Sequence, residues 1–228
     1  MVELVEKIIV DTHSRAWIAL SIGGCGILAR AFIGRHLREE REDRSLALEF
    51  AYHVLHAIGF SFSHERVITP QILVDVADVV IRDPEHVGFI CTTWQCLPEK
   101  VEICSVGSCT VLAFEGDTIQ KVIAPHNVNE LLQSQGTQLQ MHESVRGGIV
   151  THVLGSKSNK GSCSVDDVKV ARIPLLPTTT IAMIEHWQLA EDIMQRAVPA
   201  NELLSFIESW DLLAKRVRTS VLISLVRK

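Results

Sequence analysis

Residues Val101–Asp117 read VEICSVGSCTVLAFEGD. Two apolar runs, Val101–Ser105 and Thr110–Phe114, flank Gly107, and Glu115-Gly116-Asp117 turns the chain into a third run, Thr118–Ala124. Short stretches rich in β-branched residues and punctuated by glycine are strands. Val87–Trp94 precedes them across the turn residues Pro98-Glu99, which makes an antiparallel meander.

The pattern changes on either side. Downstream, Asn127 is placed to cap a short helix, with Glu130 three residues on as in a capping box and Gly136 closing it. Lys157–Ser164 is a polar loop. Val168–Ile173 and Thr179–Ile184 read as strands, Leu189–Ala197 and Glu202–Lys215 as helices, and Val221–Val226 as a last strand. Upstream, Thr69-Pro70 is a helix start, with Ile72, Leu73, Val76, Val79 and Val80 as its stripe and Asp83-Pro84 as its end. Ser45–Ile58 carries Leu46, Phe50, Ala51, Val54, Leu55 and Ile58 at helical spacing and stops at Gly59. Before it, WIALSIGGCG at Trp17–Gly26 runs from a strand into a glycine cluster. Leu28, Ala31, Phe32 and Leu37 then predict a helix over Gly26–Glu40, its charged run RHLREEREDR in solvent. Helices alternating with antiparallel strands predict a layered α+β chain, sheets inside and helix pairs outside. No repeat or linker interrupts it, so 1–228 reads as one domain.

Composition narrows the function. Hydrophobic residues are 47% and charged residues 21%, enough for a core and against disorder. A net charge of −5 gives no basic surface for nucleic acid and no polybasic membrane contact. MVELVEKIIVD mixes acids through the N-terminus and lacks a signal-peptide core, and no run approaches the roughly 18 apolar residues of a membrane span. A cytoplasmic protein with six reduced cysteines is expected. The pairs Cys91/Cys96 and Cys104/Cys109 are spaced more widely than the roughly two to four residues of zinc sites, and Cys91 and Cys104 read as small buried strand residues. His53 and His56 share a helix face as a surface or interface pair. His126 reads as a turn residue, and Trp94 and Trp210 as packing residues.

In order and spacing, nearly the whole chain resembles the metal-dependent protein serine/threonine phosphatases of type 2C. IALSIGGCG resembles the family's Asp-Gly-x-Gly-Gly strand end, and VEICSVGSCTVLAFEGD its Val-Gly-Asp-Ser strand pair. APHNVNELLQSQG resembles its Asp-His segment, Val150–Gly155 its Leu-Thr-Arg-Ala-Leu-Gly segment, IAMIEHW its strand before Ser-Asp-Gly, and Thr219–Leu222 its closing Asp-Asn strand. The resemblance implies a four-layer α-β-β-α sandwich of two mostly antiparallel sheets flanked by helix pairs. It also implies two divalent metals held by aspartates, which in that family activate a bridging water.

The aspartates are what the chain lacks. On this alignment the first metal position falls on Ile22, followed by Gly23; the others fall on Ser108, His186 and Thr219. Trp187 replaces the glycine after the third, Ser220 the asparagine after the fourth, and Pro125 the aspartate before His126. No arginine precedes Arg15, and Asp11 has no secure counterpart. Isoleucine cannot ligate, and serine and threonine bring no anionic oxygen for a hard cation. Glu185, the nearest acid to His186, is expected on the opposite side of its strand. Softer donors, His186 with Cys25, Cys109 and His126, would select zinc if they converged.

The expectation is a catalytically inactive phosphatase-like protein, without metal or cofactor, serving as a protein-binding or regulatory module. Its partner would be a kinase, a phosphoprotein or a second copy of itself, met through Lys157–Ser164, Gln133–Gly148 or the helix faces. Two alternatives stand. One is a divergent phosphohydrolase with an altered site, using His186 with Glu185 or Asp11. The other is a structural subunit of an oligomer, favoured by a mean hydropathy of +0.21 and opposed by only 5% aromatic residues.

Overall fold

The structure is a computed structural model that describes residues 2–9, 17–33, 40–59, 68–81, 87–136, 150–155, 163–210 and 220–227. Among these residues ten strands lie in two five-stranded sheets, with every pair antiparallel. The strands are β1 Val2–Ile9, β2 Trp17–Ile22, β3 Cys25–Ile33, β4 Val87–Cys96, β5 Lys100–Val106, β6 Thr110–Glu115, β7 Thr118–Ile123, β8 Lys169–Pro174, β9 Thr179–Ile184 and β10 Ser220–Arg227. Sheet I has the order β1-β10-β9-β6-β7 and sheet II the order β2-β3-β4-β5-β8. Helices α1 Glu40–Gly59 and α2 Pro70–Val80 cover sheet II; α4 Trp187–Gln195 and α5 Leu203–Ser209 cover sheet I; α3 Val128–Gln135 follows β7.

Three apolar layers hold the stack. Ala47, Phe50, Ala51 and Val54 of α1 press on Ile27, Ala29 and Phe89, with the Phe50 and Phe89 rings stacked at 4.3 Å. Leu28, Ile90, Trp94, Ile103, Val111, Ile181 and Met183 fill the space between the sheets. Leu189, Ala190, Ile193, Leu203 and Ile207 pack on Leu112, Phe114, Ala182 and Ile184. Each large side chain buried this way stabilises by about 1.5–3 kcal/mol. The α-β-β-α sandwich expected from the sequence is therefore present.

One element is corrected. The helix predicted over Gly26–Glu40 is, to Ile33, strand β3; residues 34–39 lie outside the described residues, and α1 begins at Glu40. β3 is hydrogen-bonded to β2 on one side and β4 on the other. One of its faces lies under α1 and the other faces sheet I, so Ile27, Leu28 and Ala29 are all buried. A strand covered on both faces loses polar alternation, and its apolar positions then match a helical period by chance. Strand β1, unassigned in the sequence reading, pairs with β10 from Val2↔Arg227 to Ile9↔Ser220. Asn127 caps α3 as expected, its Oδ1 accepting the Glu130 N–H at 3.0 Å, and Gly136 ends it at φ 63°. The helix expected over Glu202–Lys215 is observed as Leu203–Ser209, with 211–215 outside the described residues.

Candidate functional site

Strand register separates the expected site positions. Gly23 and Gly24, at φ 59° and 80°, form the tight turn of the β2–β3 hairpin, where Ile22 is 69% exposed. Cys25 opposes Gln95 there, and the Cys96 N–H donates to the Gly24 carbonyl at 2.8 Å. Ser108 lies at the other end of sheet II. Val106 opposes Cys91, and Gly107, at φ 105°, sits against Ile90 so closely that a Cβ would overlap the isoleucine. Ile90 opposes Arg30, five residues along β3 from Cys25, which is roughly 17 Å at the rise of a strand. The glycine cluster is thus a hairpin at the far end, and Ile22 and Gly23 do not meet Ser108.

At the near end several elements converge. Thr110 and Ser220 both oppose Ile184, so the Gly107–Cys109 turn, the end of β9 and the start of β10 are adjacent. Thr219, Asp11 and Arg15 lie outside the described residues. Arg30 follows Leu28 on the inter-sheet face, and Trp17, its partner in register, belongs to the inter-sheet core. Ile181 and Met183 face the same layer, so strand parity carries Glu185 into it as well. Glu185 thus lies on the opposite side of its strand from His186, as expected, and that side is the inter-sheet layer.

The near end gathers buried polar atoms. Glu185 is 9% exposed, and its Oε2, Ser108 Oγ and Trp17 Nε1 are buried without hydrogen-bond partners. Burial pushes the Glu185 carboxyl up to about 7; the Arg30 guanidinium and the neighbouring Ser108 hydroxyl pull the other way. Ser108 acts there by proximity, outside hydrogen-bond geometry. Burial holds the Cys109 thiol at about 12, against the Thr92 hydroxyl, so it is neither nucleophile nor ready ligand. The His186 ring lies 5.1 Å from that of Trp210, whose Nε1 donates to Asp192 at 2.7 Å.

His126 braces this turn from outside. Its backbone N–H donates to the Gly107 carbonyl at 2.6 Å, and its Nδ1 accepts the Gly107 N–H at 3.1 Å. The ring is therefore neutral, and burial followed by Lys169 and His152 lowers its pKa to about 4. The His152 ring is 4.8 Å away, its Nε2 3.9 Å from Asp167. The turn role expected for His126 is what it performs. Cys25 sits at the far hairpin, Cys109 at the near end, and all six cysteines are free thiols.

A pair of divalent metals does not fit these donors. The described near end offers one carboxylate, Glu185, under the field of Arg30. Among the described residues no three His, Cys, Asp or Glu side chains come together to hold a metal ion. Hard cations want several oxygen anions. Sequence reasoning missed Arg30 and Trp17; a lone arginine inside GILARAFI was the available signal.

No protein-family model and no curated protein matches the sequence. Solved structures do. PppA, a key regulatory component of T6SS in Pseudomonas aeruginosa, is 14% identical with a TM-score of 0.64, covering 99% of this chain and 98% of that one. The catalytic domain of the serine threonine protein phosphatase PstP, in complex with two manganese ions, is 9% identical with a TM-score of 0.61, covering 99% of both chains. The PPM Ser-Thr phosphatase MsPP from Mycobacterium smegmatis, in complex with cacodylate, is 12% identical with a TM-score of 0.58, covering 99% of this chain and 97% of that one. The fold is that of the type 2C phosphatases, as the sequence resemblance implied. Among the described residues no helix is long and apolar enough to cross a membrane.

Proposed function

We propose that this chain, taken as one phosphatase-like domain over 1–228, is a phosphatase fold without phosphatase chemistry, retained as a protein-binding or regulatory module. The observation that carries the reading is the donor set where β9 and the Gly107–Cys109 turn converge. Among the described residues it comprises one half-neutralised carboxylate, a serine hydroxyl and an imidazole packed on a tryptophan. Metal-assisted hydrolysis of a phosphate ester needs anionic ligands to hold the ions and to lower the pKa of their water. Ser108 and His186 bring no such charge. The caps, turns and core layers around them are intact, which fits a fold kept for its surface. PppA, a regulatory component of T6SS, is one setting in which a protein of this fold works as a regulator. The partner would be a kinase, a phosphoprotein or a second copy of the chain.

Glu185 favours one further reading, a divergent phosphohydrolase. A buried carboxyl with a pKa of about 7 is poised for general acid or base work. One experiment addresses both. The purified chain is assayed with p-nitrophenyl phosphate and a phosphothreonine peptide, with Mn²⁺ and with EDTA, and its bound metal is counted. The first reading expects no turnover above blank. Turnover that EDTA abolishes would defeat it; turnover that survives EDTA and is lost in Glu185→Gln would establish the second.

A further inference from the structure

We propose that His126 makes the Gly107–Cys109 turn an acid-sensitive clasp: the turn is fastened while the imidazole is neutral, and a proton on the ring releases both the turn and the strap Val150–Gly155. Hydrogen-bond geometry carries the inference. His126 holds Gly107 at both of its backbone polar atoms, its own N–H donating to the Gly107 carbonyl at 2.6 Å and its Nδ1 accepting the Gly107 N–H at 3.1 Å. On its other side the His126 carbonyl accepts the Thr151 N–H at 2.8 Å, and the adjoining Asn127 forms a bridge with Val150. The strap is tied again further along, where Leu154 and Phe89 exchange bonds of 2.8 and 3.0 Å. One histidine therefore joins the turn that presents Ser108 to the strap beyond it.

A neutral ring is a condition of this arrangement. Nδ1 accepts through its lone pair, and a protonated imidazole carries a donor at both nitrogens. Protonation sets two N–H groups against each other across 3.1 Å, and the residue is only 8% exposed, so water cannot replace the bond while the turn stays shut. Gly107 has no room to turn aside, because Ile90 occupies the place of its missing Cβ. The surrounding charges act on the same ring. Lys169 of β8, whose Nζ is anchored on the Ala124 carbonyl at 2.7 Å, and His152 of the strap, its ring 4.8 Å away, both oppose a proton there. Asp167 favours one through its backbone and its carboxylate. That carboxylate also accepts the Ser164 N–H and hydroxyl at 2.8 Å each and stands 3.9 Å from His152 Nε2. Glu130 of α3 is paired with Lys121, and the Cys109 thiol is neutral. The inference does not depend on whether the chain is a catalyst: turnover would defeat the first reading above and leave this one standing.

The test is native-state amide exchange on the intact chain at pH 7 and pH 5, each rate divided by its intrinsic rate, with the core amide of Ile181 as the reference for global unfolding. The closed turn lowers His126 from 6.5 to about 4, so the ring takes up its proton on opening between those values. Linkage then makes opening about 20-fold more frequent at pH 5 than at pH 7. The Gly107 and Thr151 amides should lose protection together by that factor, and both should be less protected than Ile181 at either pH. His126→Asn keeps a side-chain acceptor near the place of Nδ1 and does not titrate; in it the two amides should lose less than 3-fold over the same range. Protection that does not change with pH, a loss at only one of the two amides, or protection equal to that of Ile181 would overturn the proposal. So would a 20-fold loss that persists in His126→Asn. If that variant does not fold, the wild-type measurement decides.

Discussion

The two ends of the inter-sheet layer are built from similar parts and finished differently. At the hairpin end, among the described residues, no buried side-chain polar atom lacks a hydrogen bond. Trp94 Nε1 donates to Glu6 at 2.9 Å, the Cys96 N–H to Gly24, and the Leu97 N–H to the Lys100 carbonyl. At the same end, on the other face of sheet II, the buried Glu102 pairs with Lys100 at 2.7 Å and Arg172 at 3.3 Å. At the near end the counterpart tryptophan, Trp17, has no partner for its indole N–H, and neither Ser108 Oγ nor Glu185 Oε2 has one. Native folds leave few buried polar atoms unsatisfied, and those they leave deserve a reason. The hairpin end is finished architecture; the near end keeps its polar groups available. A cluster of glycines reports backbone geometry, and here it marked the quieter end.

The largest expected effect tests the near end through pH. The fold raises Glu185 from its ordinary 4.5 to about 7, so the native chain binds the extra proton between those values. The resulting stability is full below pH 4.5 and is lost as pH rises through 7. His126 runs the other way. Lowered from 6.5 to about 4, it contributes stability that is present above pH 6.5 and lost as pH falls through 4. Between pH 4.5 and 6.5 the two slopes oppose each other. Urea denaturation should show the Glu185→Gln variant gaining on the wild type by about 3 kcal/mol between pH 4.5 and 7.5. The same variant should lose stability steeply below pH 6.5, where His126 is no longer balanced. A flat difference between variant and wild type would mean that Glu185 is solvated.

Most of the fold was legible because its signals are local. Asn127 with Glu130, Thr69-Pro70 and the Glu115–Asp117 turn each specify a boundary by their own chemistry, and the meander of β4 to β7 follows from them. β3 was misread because its periodicity was erased by burial on both faces, a fact of tertiary structure. The site was less legible for a related reason. Ile22 and Ser108 are joined only by an assumption about which strand precedes the long helices; β3, inserted between the glycine cluster and α1, moves the first position by the length of a strand. Ser108 and Glu185 come together because β6 and β9 are adjacent strands, a pairing that the resemblance, which aligned Ser108 and His186, did not name.

A smaller effect compares the two tryptophans directly. Both are buried in the same apolar layer, so replacing either by phenylalanine removes a similar volume. Trp94→Phe also removes a hydrogen bond to Glu6, whereas Trp17→Phe removes a buried donor that has no partner. A net hydrogen bond is worth about 1 kcal/mol, and an unsatisfied donor costs about 1–3. Trp94→Phe should therefore be the more destabilising by at least about 2 kcal/mol in urea. The reverse order would mean that water already satisfies Trp17, and the contrast between the ends would shrink accordingly.

The smallest effect is expected at the residue that first drew attention. Ile22→Asp places a carboxylate at the position the resemblance assigns to a metal ligand, yet the site is an exposed hairpin turn roughly 17 Å from Ser108. Surface changes away from special features usually stay within about 0.5 kcal/mol. The variant should melt like the wild type and gain no manganese by direct metal counting. Ile22 differs from the near-end residues in one decisive respect: its surroundings are solvent, and water screens whatever charge is put there. A manganese ion recruited by Ile22→Asp would place the ligand-gathering end of this fold at the hairpin. Glu185, Ser108 and Arg30 would then be a buried polar cluster with no relation to it.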